Sequence, residues 1–309
     1  MTLTRDAPSG AAPAGVPSPD AVMARARTEN FPVASRLLPR RARGDLLAIY
    51  GFARLVDEIG DAHPGEGAGA AGEAGEAAER QSRLAALDWL EAELDRAFAG
   101  GAEHPLLIAL RPTLRRCSLA REPFVRLIEA NRLDQRVSSY DTWEQLRGYC
   151  ELSADPVGEL VLAVLDLATP ARIALSNSIC TALQLTEHCQ DVAEDFARGR
   201  VYLPREDLER FGCTRAELAG AHAGEPLRGV LAFEVARAHG LFADGAALVG
   251  QLRGRPRLAV AAFVAGGRAA LDAIERAGYD VLAGPPPVAA GRRLAALART
   301  LAQDRGRRS

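Results

Sequence analysis

The chain has 309 residues, of which 48% are hydrophobic and 25% charged, and its net charge is −2. This is the balance of a globular protein long enough to bury a sizeable core, without the basic field that marks a nucleic-acid binder. All 38 basic residues are arginine, a compositional bias from which no function follows.

Residues 1–20 (MTLTRDAPSGAAPAGVPSPD) lack the charged start and apolar centre of a signal peptide and read as a disordered leader. No apolar run reaches the roughly 18 residues of a membrane span; the run at 258–267 (LAVAAFVAGG) is far too short. The five cysteines, Cys117, Cys150, Cys180, Cys189 and Cys213, form no CxxC pair, which argues against a disulfide framework or a zinc ribbon. A cytoplasmic protein is expected, at most peripheral at a membrane surface.

Helical periodicity begins at residues 48–61 (AIYGFARLVDEIGD). The glycine-rich stretch 63–79 reads as a mobile loop. Residues 83–99, 122–131, 143–152, 156–167, 172–196 and 227–252 repeat apolar positions at three and four. Pro112, Pro123, Pro156, Pro170, Pro204 and Pro226 are expected at the breaks between these runs. The tail 285–309 reads as a frayed, solvated end, with a short basic amphipathic helix touching anionic lipid as the alternative. The expectation is an all-α chain with one domain over 21–284.

Two of these helices are unusually acidic for their apolar content. Tyr50, Arg54, Asp57 and Asp61 fall within a narrow sector of one helix face. Gln184, Glu187, Asp191 and Asp195 likewise share one side of another. A surface ladder of ion pairs would produce such spacing. Against that reading, apolar residues flank both faces (Ile49, Leu55, Ile59; Leu185, Val192), which argues for burial. Buried carboxylates are costly unless a cation or metal pairs with them, and helical bundles build metal sites in this way. An oxygen-only ligand set suits a hard cation such as Mg²⁺, which binds few carboxylates, keeps waters and completes its shell with phosphate oxygens. Arg54, Arg198 and Arg200 would make charge-assisted contacts to the same phosphates. With no P-loop or GxGxxG motif, a diphosphate ester is favoured over a nucleotide.

Four blocks in order carry a family resemblance. They are DEIGD (57–61), YCELSADPVGELVL (149–162), QLTEHCQDVAEDFARGRVYLPREDLERFG (184–212) and ALDAIERAGYDVL (270–282). Together they resemble the squalene and phytoene synthases over about residues 29–283. ENFPVASRLLPRR (29–41) and SADPVG (153–158) are most similar to the bacterial hydroxysqualene synthase branch of hopanoid pathways, and Gly266–Gly267 stand where some carotenoid-type relatives place an aromatic pair.

The resemblance implies an isoprenoid-synthase (class I terpenoid synthase) helical bundle around a central cavity. It implies Mg²⁺ held by Asp57, Asp61, Asp191 and Asp195, with Glu187 standing where relatives usually carry Asn and so adding a candidate ligand. Arg54, Arg200 and Tyr202 would neutralise the departing diphosphate, and Tyr50 and Tyr149 would line the cavity. Asn30, Phe31 and Gln184 would contact substrate. Glu58 replaces the usual second aspartate of the first motif, and His188 and Cys189 replace aromatic residues and are expected to line the cavity or pack. The implied reaction converts presqualene diphosphate and water to hydroxysqualene and diphosphate without a reductant. Prenyl diphosphate is the expected partner, with hand-off to other hopanoid-pathway enzymes. One alternative is condensation of two prenyl diphosphates to presqualene or phytoene diphosphate. Another is a non-catalytic assembly or recruitment protein of the same fold; such proteins tend to lose the aspartates, and all four stand here.

Overall fold

The computed structural model describes residues 12–13, 16–25, 38, 40–61 and 73–306, and these are helical almost throughout. They form two compact units, one over the amino-terminal helices to Arg136 and the other from Val137 onward together with Leu38. Among the described residues the nearest thing to a strand is a single parallel bridge between Ser139 and Val201. No described helix is long and apolar enough to cross a membrane.

The first unit contains α1 (Pro19–Arg25), α2 (Arg40–Gly60), α3 (Glu73–Ala99), α4 (Pro105–Arg116) and α5 (Glu122–Asp134). Helix α2 is its hub and packs on the other four. Leu46, Ile49, Phe52, Val56 and Ile59, spaced by three and four, are buried along it. Phe52 meets Phe124 of α5 edge to face, with centroids 5.1 Å apart.

Two expectations change here. Helix α3 reaches back to Glu73, so the end of the stretch expected as a loop is helical; its alanines and glutamates are good helix formers and offset the single Gly75. Residues 62–72 lie outside the described residues. Pro112 sits inside α4 instead of at a break, where burial of Leu107, Leu110 and Leu114 offsets the hydrogen bond its ring forgoes. The start of α4 is capped from a distance: Glu93 Oε1 accepts from the backbone N–H groups of Glu103 (2.5 Å) and His104 (2.7 Å). Burial pushes the Glu93 carboxyl up, but these donors and Arg96 together hold it below the usual glutamate value.

The second unit contains α6 (Trp143–Ser153), α7 (Asp155–Val164), α8 (Pro170–Gln190), α9 (Val192–Ala197), α10 (Arg205–Arg210), a 3₁₀ turn (Arg215–Ala219), α11 (Glu225–Gly245), α12 (Ala247–Gln251), α13 (Gly254–Arg276) and α14 (Ala290–Gly306). Thr142 and Thr169 cap α6 and α8, each accepting a backbone N–H through its side chain. Helix α8 is central and packs on α7, α11 and α13. The SADPVG block explains part of that packing. Asp155, buried at the start of α7, accepts from Thr181 Oγ1 of α8 at 3.0 Å. At Gly158 a Cβ would meet Ser176 Oγ at 2.3 Å and Cys180 Sγ at 2.6 Å, so this helix crossing requires glycine.

The tail expected to be frayed is instead helix α14, docked on α13. Ala296 is buried with Ala265 and Ala269, and Val288 and Leu297 pack against them. Short side chains at the seam let the two helices approach closely. The periodic run 227–252 is likewise two helices, α11 and α12, divided at Ala246.

Candidate active site

In the first unit the acidic motif occupies the carboxy-terminal end of α2. Asp61 lies just past the last helical residue and donates its N–H to the Asp57 carbonyl (2.8 Å), so the two carboxylates follow one another by a single turn. Asp57 is exposed at its surface yet closely surrounded by protein. Desolvation pushes its carboxyl up to about 6, Asn131 pulls it down through a hydrogen bond (Nδ2 to Oδ1, 3.4 Å), and Asp61 pushes it up again. Asp134, on the same helix as Asn131, also raises it. These two α5 residues escaped the sequence reading. Their signal was the polar set Asn131, Asp134 and Gln135 at the end of α5.

Gly60, inside the motif, has a structural reason: a Cβ there would meet Asn131 Oδ1 at 2.0 Å and its Cβ at 3.2 Å. Gln135 Nε2 also donates to the Gly60 carbonyl (3.1 Å). Arg54 is half-buried and pairs with Glu58 (3.2 Å) while remaining near enough to lower Asp57. Glu58, the departure from the family motif, therefore serves as a partner for Arg54. Tyr50 is half-buried on the same helix.

In the second unit the expected single helix over 172–196 is broken at Asp191. Helix α8 ends at Gln190, Asp191 has φ −102° and ψ 17°, and α9 begins at Val192. The i to i−4 bonds still run through the break, from Asp191 N–H to Glu187 O (2.9 Å) and from Asp195 N–H to Asp191 O (2.8 Å). The carboxylate ladder thus survives a change of backbone conformation at its middle member. Asp191 is raised by burial and by Glu194. Asp195 is pushed up to about 7, first by burial and then by Asp191, with Arg198 and Arg200 opposing.

The end of α9 explains the Arg-Gly-Arg sequence. Gly199 takes φ +79°, its N–H donates to Phe196 O (2.9 Å), and the Arg200 N–H donates to Asp195 O (2.8 Å). These are the two bonds of a Schellman cap with glycine at the left-handed position. The turn brings the Arg200 backbone back onto Asp195. The chain then runs beside residues 138–141: Val201 N–H donates to Ser138 O (2.8 Å), Arg205 N–H to Tyr140 O (2.9 Å) and Glu206 N–H to Asp141 O (3.0 Å).

That pairing assembles an aromatic group. Tyr202 stacks on Tyr140 (centroids 6.0 Å, planes 23° apart) and on His188 (4.0 Å, 12°), and Tyr149 lies 5.5 Å from both tyrosine rings. Beside it opens a small cavity lined by His188, Val192, Asp195, Arg200, Val201, Tyr202, Leu203 and Leu218. His188 is buried, as expected of a cavity-lining residue, and desolvation pushes its imidazole down to about 3. Cys189 is fully buried, and burial raises its thiol well above the ordinary value. Tyr140 is the member that sequence reading missed; it lies outside the four matched blocks and joins the group through backbone pairing alone.

Of the other expected residues, Asn30 and Phe31 lie outside the described residues. Gln184 is half-buried with its Nε2 3.4 Å from His188 Nε2. Glu187 is exposed. Arg198 is exposed and pairs with Glu194 (2.7 Å). Among the described residues, the group of three potential ligands whose donor atoms all lie within 4.8 Å of one another is His239, Asp272 and Glu275, not Glu187, Asp191 and Asp195. A ligand shell completed by water and phosphate does not need three protein oxygens in contact, so the carboxylate pairs remain suited to a hard divalent cation.

The helical architecture is that of the class I terpenoid synthases. The chain belongs to the squalene/phytoene synthase family, whose model matches residues 24–294. It is 34% identical over 228 residues to a hydroxysqualene synthase of Sinorhizobium fredii (74% of this chain, 72% of that one). It is 33% identical over 267 residues to a 15-cis-phytoene synthase of Synechococcus elongatus (82% of each). Among solved structures, the squalene synthase HpnC from Alicyclobacillus acidocaldarius superposes with a TM-score of 0.74 at 42% identity, covering 84% of this chain and 94% of that one. A dehydrosqualene synthase at 22% identity (TM-score 0.77, 93% and 96% covered) shares the fold. Members of this enzyme family act on prenyl diphosphates, and class I terpenoid synthases generally use divalent metal ions.

Proposed function

We propose that this chain is a Mg²⁺-dependent hydroxysqualene synthase, which ionises presqualene diphosphate and quenches the rearranged cation with water. The carrying observation is the Schellman turn at Gly199, which ties Asp195, Arg200 and Tyr202 to one small cavity floored by aromatic rings. Asp57, Asp61, Asp191 and Asp195 would hold Mg²⁺, with Glu187 as an additional ligand. The bound metal supplies Lewis-acid charge to the diphosphate oxygens. Arg200, Arg54 and the Tyr202 hydroxyl stabilise the negative charge that builds up as the ester bond breaks. Gln184 contacts substrate, while Tyr149 presents its ring beside Tyr140 and Tyr202 to the hydrocarbon side, where ring faces favour a passing cation.

Two features favour this branch: the identity to hydroxysqualene synthase and HpnC, and the packing at Gly267, where a Cβ would meet the Phe242 ring at 2.3 Å. Of the two positions where carotenoid-type relatives place an aromatic pair, 266 is open but 267 has no room for a ring beside Phe242. Condensation of two prenyl diphosphates is the second reading, supported by the comparable identity to phytoene synthases. Hand-off of product within a hopanoid pathway and peripheral contact with a membrane follow from the first. Mass-spectrometric product analysis with presqualene diphosphate and farnesyl diphosphate offered separately distinguishes them. Hydroxysqualene from the former without reductant is the expected result, and a coupled diphosphate from the latter alone would overturn it.

A further inference from the structure

The cavity beside Tyr202 measures about 10 Å³, room for about one water. Four of its lining residues are apolar, so a water there would depend on His188, Asp195, Arg200 and Tyr202 for partners. Three of these already have work at the diphosphate in the reading above. His188 does not. Its ring is held almost parallel to Tyr202 at 4.0 Å, with Tyr149 6.2 Å away and the Gln184 amide 3.4 Å from Nε2. A phenylalanine would fill this stack without burying two ring nitrogens, whose desolvation is unfavourable unless something bonds them. The Gln184 amide N–H donates to Nε2, which puts the ring proton on Nδ1 and leaves it to donate to a small polar molecule.

We propose that His188 holds and orients the water that captures the carbocation, and so decides that the product is an alcohol and not a hydrocarbon. This rests on the hydroxysqualene synthase reading. The C–O bond to diphosphate breaks with its electron pair going to the diphosphate. A lone pair of the water oxygen forms the new C–O bond to the rearranged cation, and the proton it releases passes to the diphosphate. The His188 Nδ1–H donates to the oxygen of this water and holds it so that its remaining lone pair faces the cation. Without it, the same cation loses a proton from a neighbouring carbon and gives a polyene.

The test compares alcohol with hydrocarbon in the products from presqualene diphosphate. His188→Phe keeps the stack and removes both nitrogens, and its alcohol-to-hydrocarbon ratio should fall about tenfold, the effect of one lost orienting hydrogen bond. His188→Asn restores a hydrogen-bonding group and should recover most of the ratio. Gln184→Leu leaves the imidazole in place but releases its orientation, and should shift the ratio in the same direction by a smaller factor. An unchanged ratio in both His188→Phe and Gln184→Leu overturns the assignment. Wild-type protein that leaves presqualene diphosphate untouched overturns the functional reading and this inference with it, an outcome distinct from a variant that turns over with the wild-type ratio.

Discussion

Asp195 stands near 7 because the protein strips water from it and sets Asp191 one turn away. Its folded value lies above the ordinary 3.8, so the folded protein holds the extra proton between those two values. Stability contributed by this group is therefore present at low pH and lost as pH rises through about 7. Asp195→Asn should stabilise the metal-free protein at pH 8 by about 1–2 kcal/mol after allowance for partial exposure, while lowering kcat/KM at least ~100-fold. Urea unfolding in EDTA and steady-state rates check the two halves separately. Glu234 behaves alike for a different purpose. It is fully buried on α11, and burial pushes it up to about 8 against the pull of Arg237. Arg237 bonds both Glu234 (2.5 Å) and Asp207 (3.0 Å) and lies over the Trp143 ring at 4.6 Å, tying α10 to α11. The contribution of Glu234 to stability is lost as pH rises from 4.5 through 8, so the unfolding free energy of Glu234→Gln relative to wild type should become more favourable across that window.

At the scale of the element, the turn after α9 matters most, because one backbone motif places a carboxylate and a guanidinium together. Gly199→Ala puts a side chain at φ +79°, which costs about 1–2 kcal/mol. It should also raise the KM for prenyl diphosphate more than it lowers Tm-derived stability can account for, since Arg200 loses its anchor. Thermal unfolding and KM measured on one preparation test this. The same region shows what the sequence could convey. The spacing of Glu187, Asp191 and Asp195 revealed a shared face, and their hydrogen bonds do follow that helical count. The break at Asp191 was hidden because those bonds continue through it. The α14 docking was hidden for a related reason: its seam is built from alanines, which carry little periodic signal in an alanine-rich tail. Nothing in the sequence marks Glu93 as buried, because the backbone N–H groups of Glu103 and His104 that make its burial tolerable reach it only through the turn between two helices.

At the scale of the whole molecule, the carboxyls of Asp57 and Asp195, raised to about 6 and 7, would make the proposed cation binding and folding stability interdependent. Mg²⁺ at about 100 times its dissociation constant should stabilise the protein by about 2.7 kcal/mol. That gain should shrink below pH 6, where protons compete for the same oxygens, and disappear with EDTA; thermal shift against pH and Mg²⁺ measures it. Helix α14 contributes differently. Besides its buried alanine, Arg299 pairs with Asp272 (3.2 Å) and the Leu301 carbonyl accepts from Arg257 (3.4 Å). Ending the chain at Pro286 should lower the melting temperature by several degrees, on the order of 1–3 kcal/mol of lost burial.

The contact between Gly267 and Phe242 reaches beyond one chain. With a hypothetical Cβ at 267 only 2.3 Å from the phenyl ring and 2.9 Å from Leu183, the two helices share one fixed parcel of volume. A ring can occupy it from α11 or from α13, but not from both. Homologues should therefore trade bulk between positions 242 and 267, large against small, and a Gly267→Phe graft should be tolerated only when Phe242 is shortened in the same molecule.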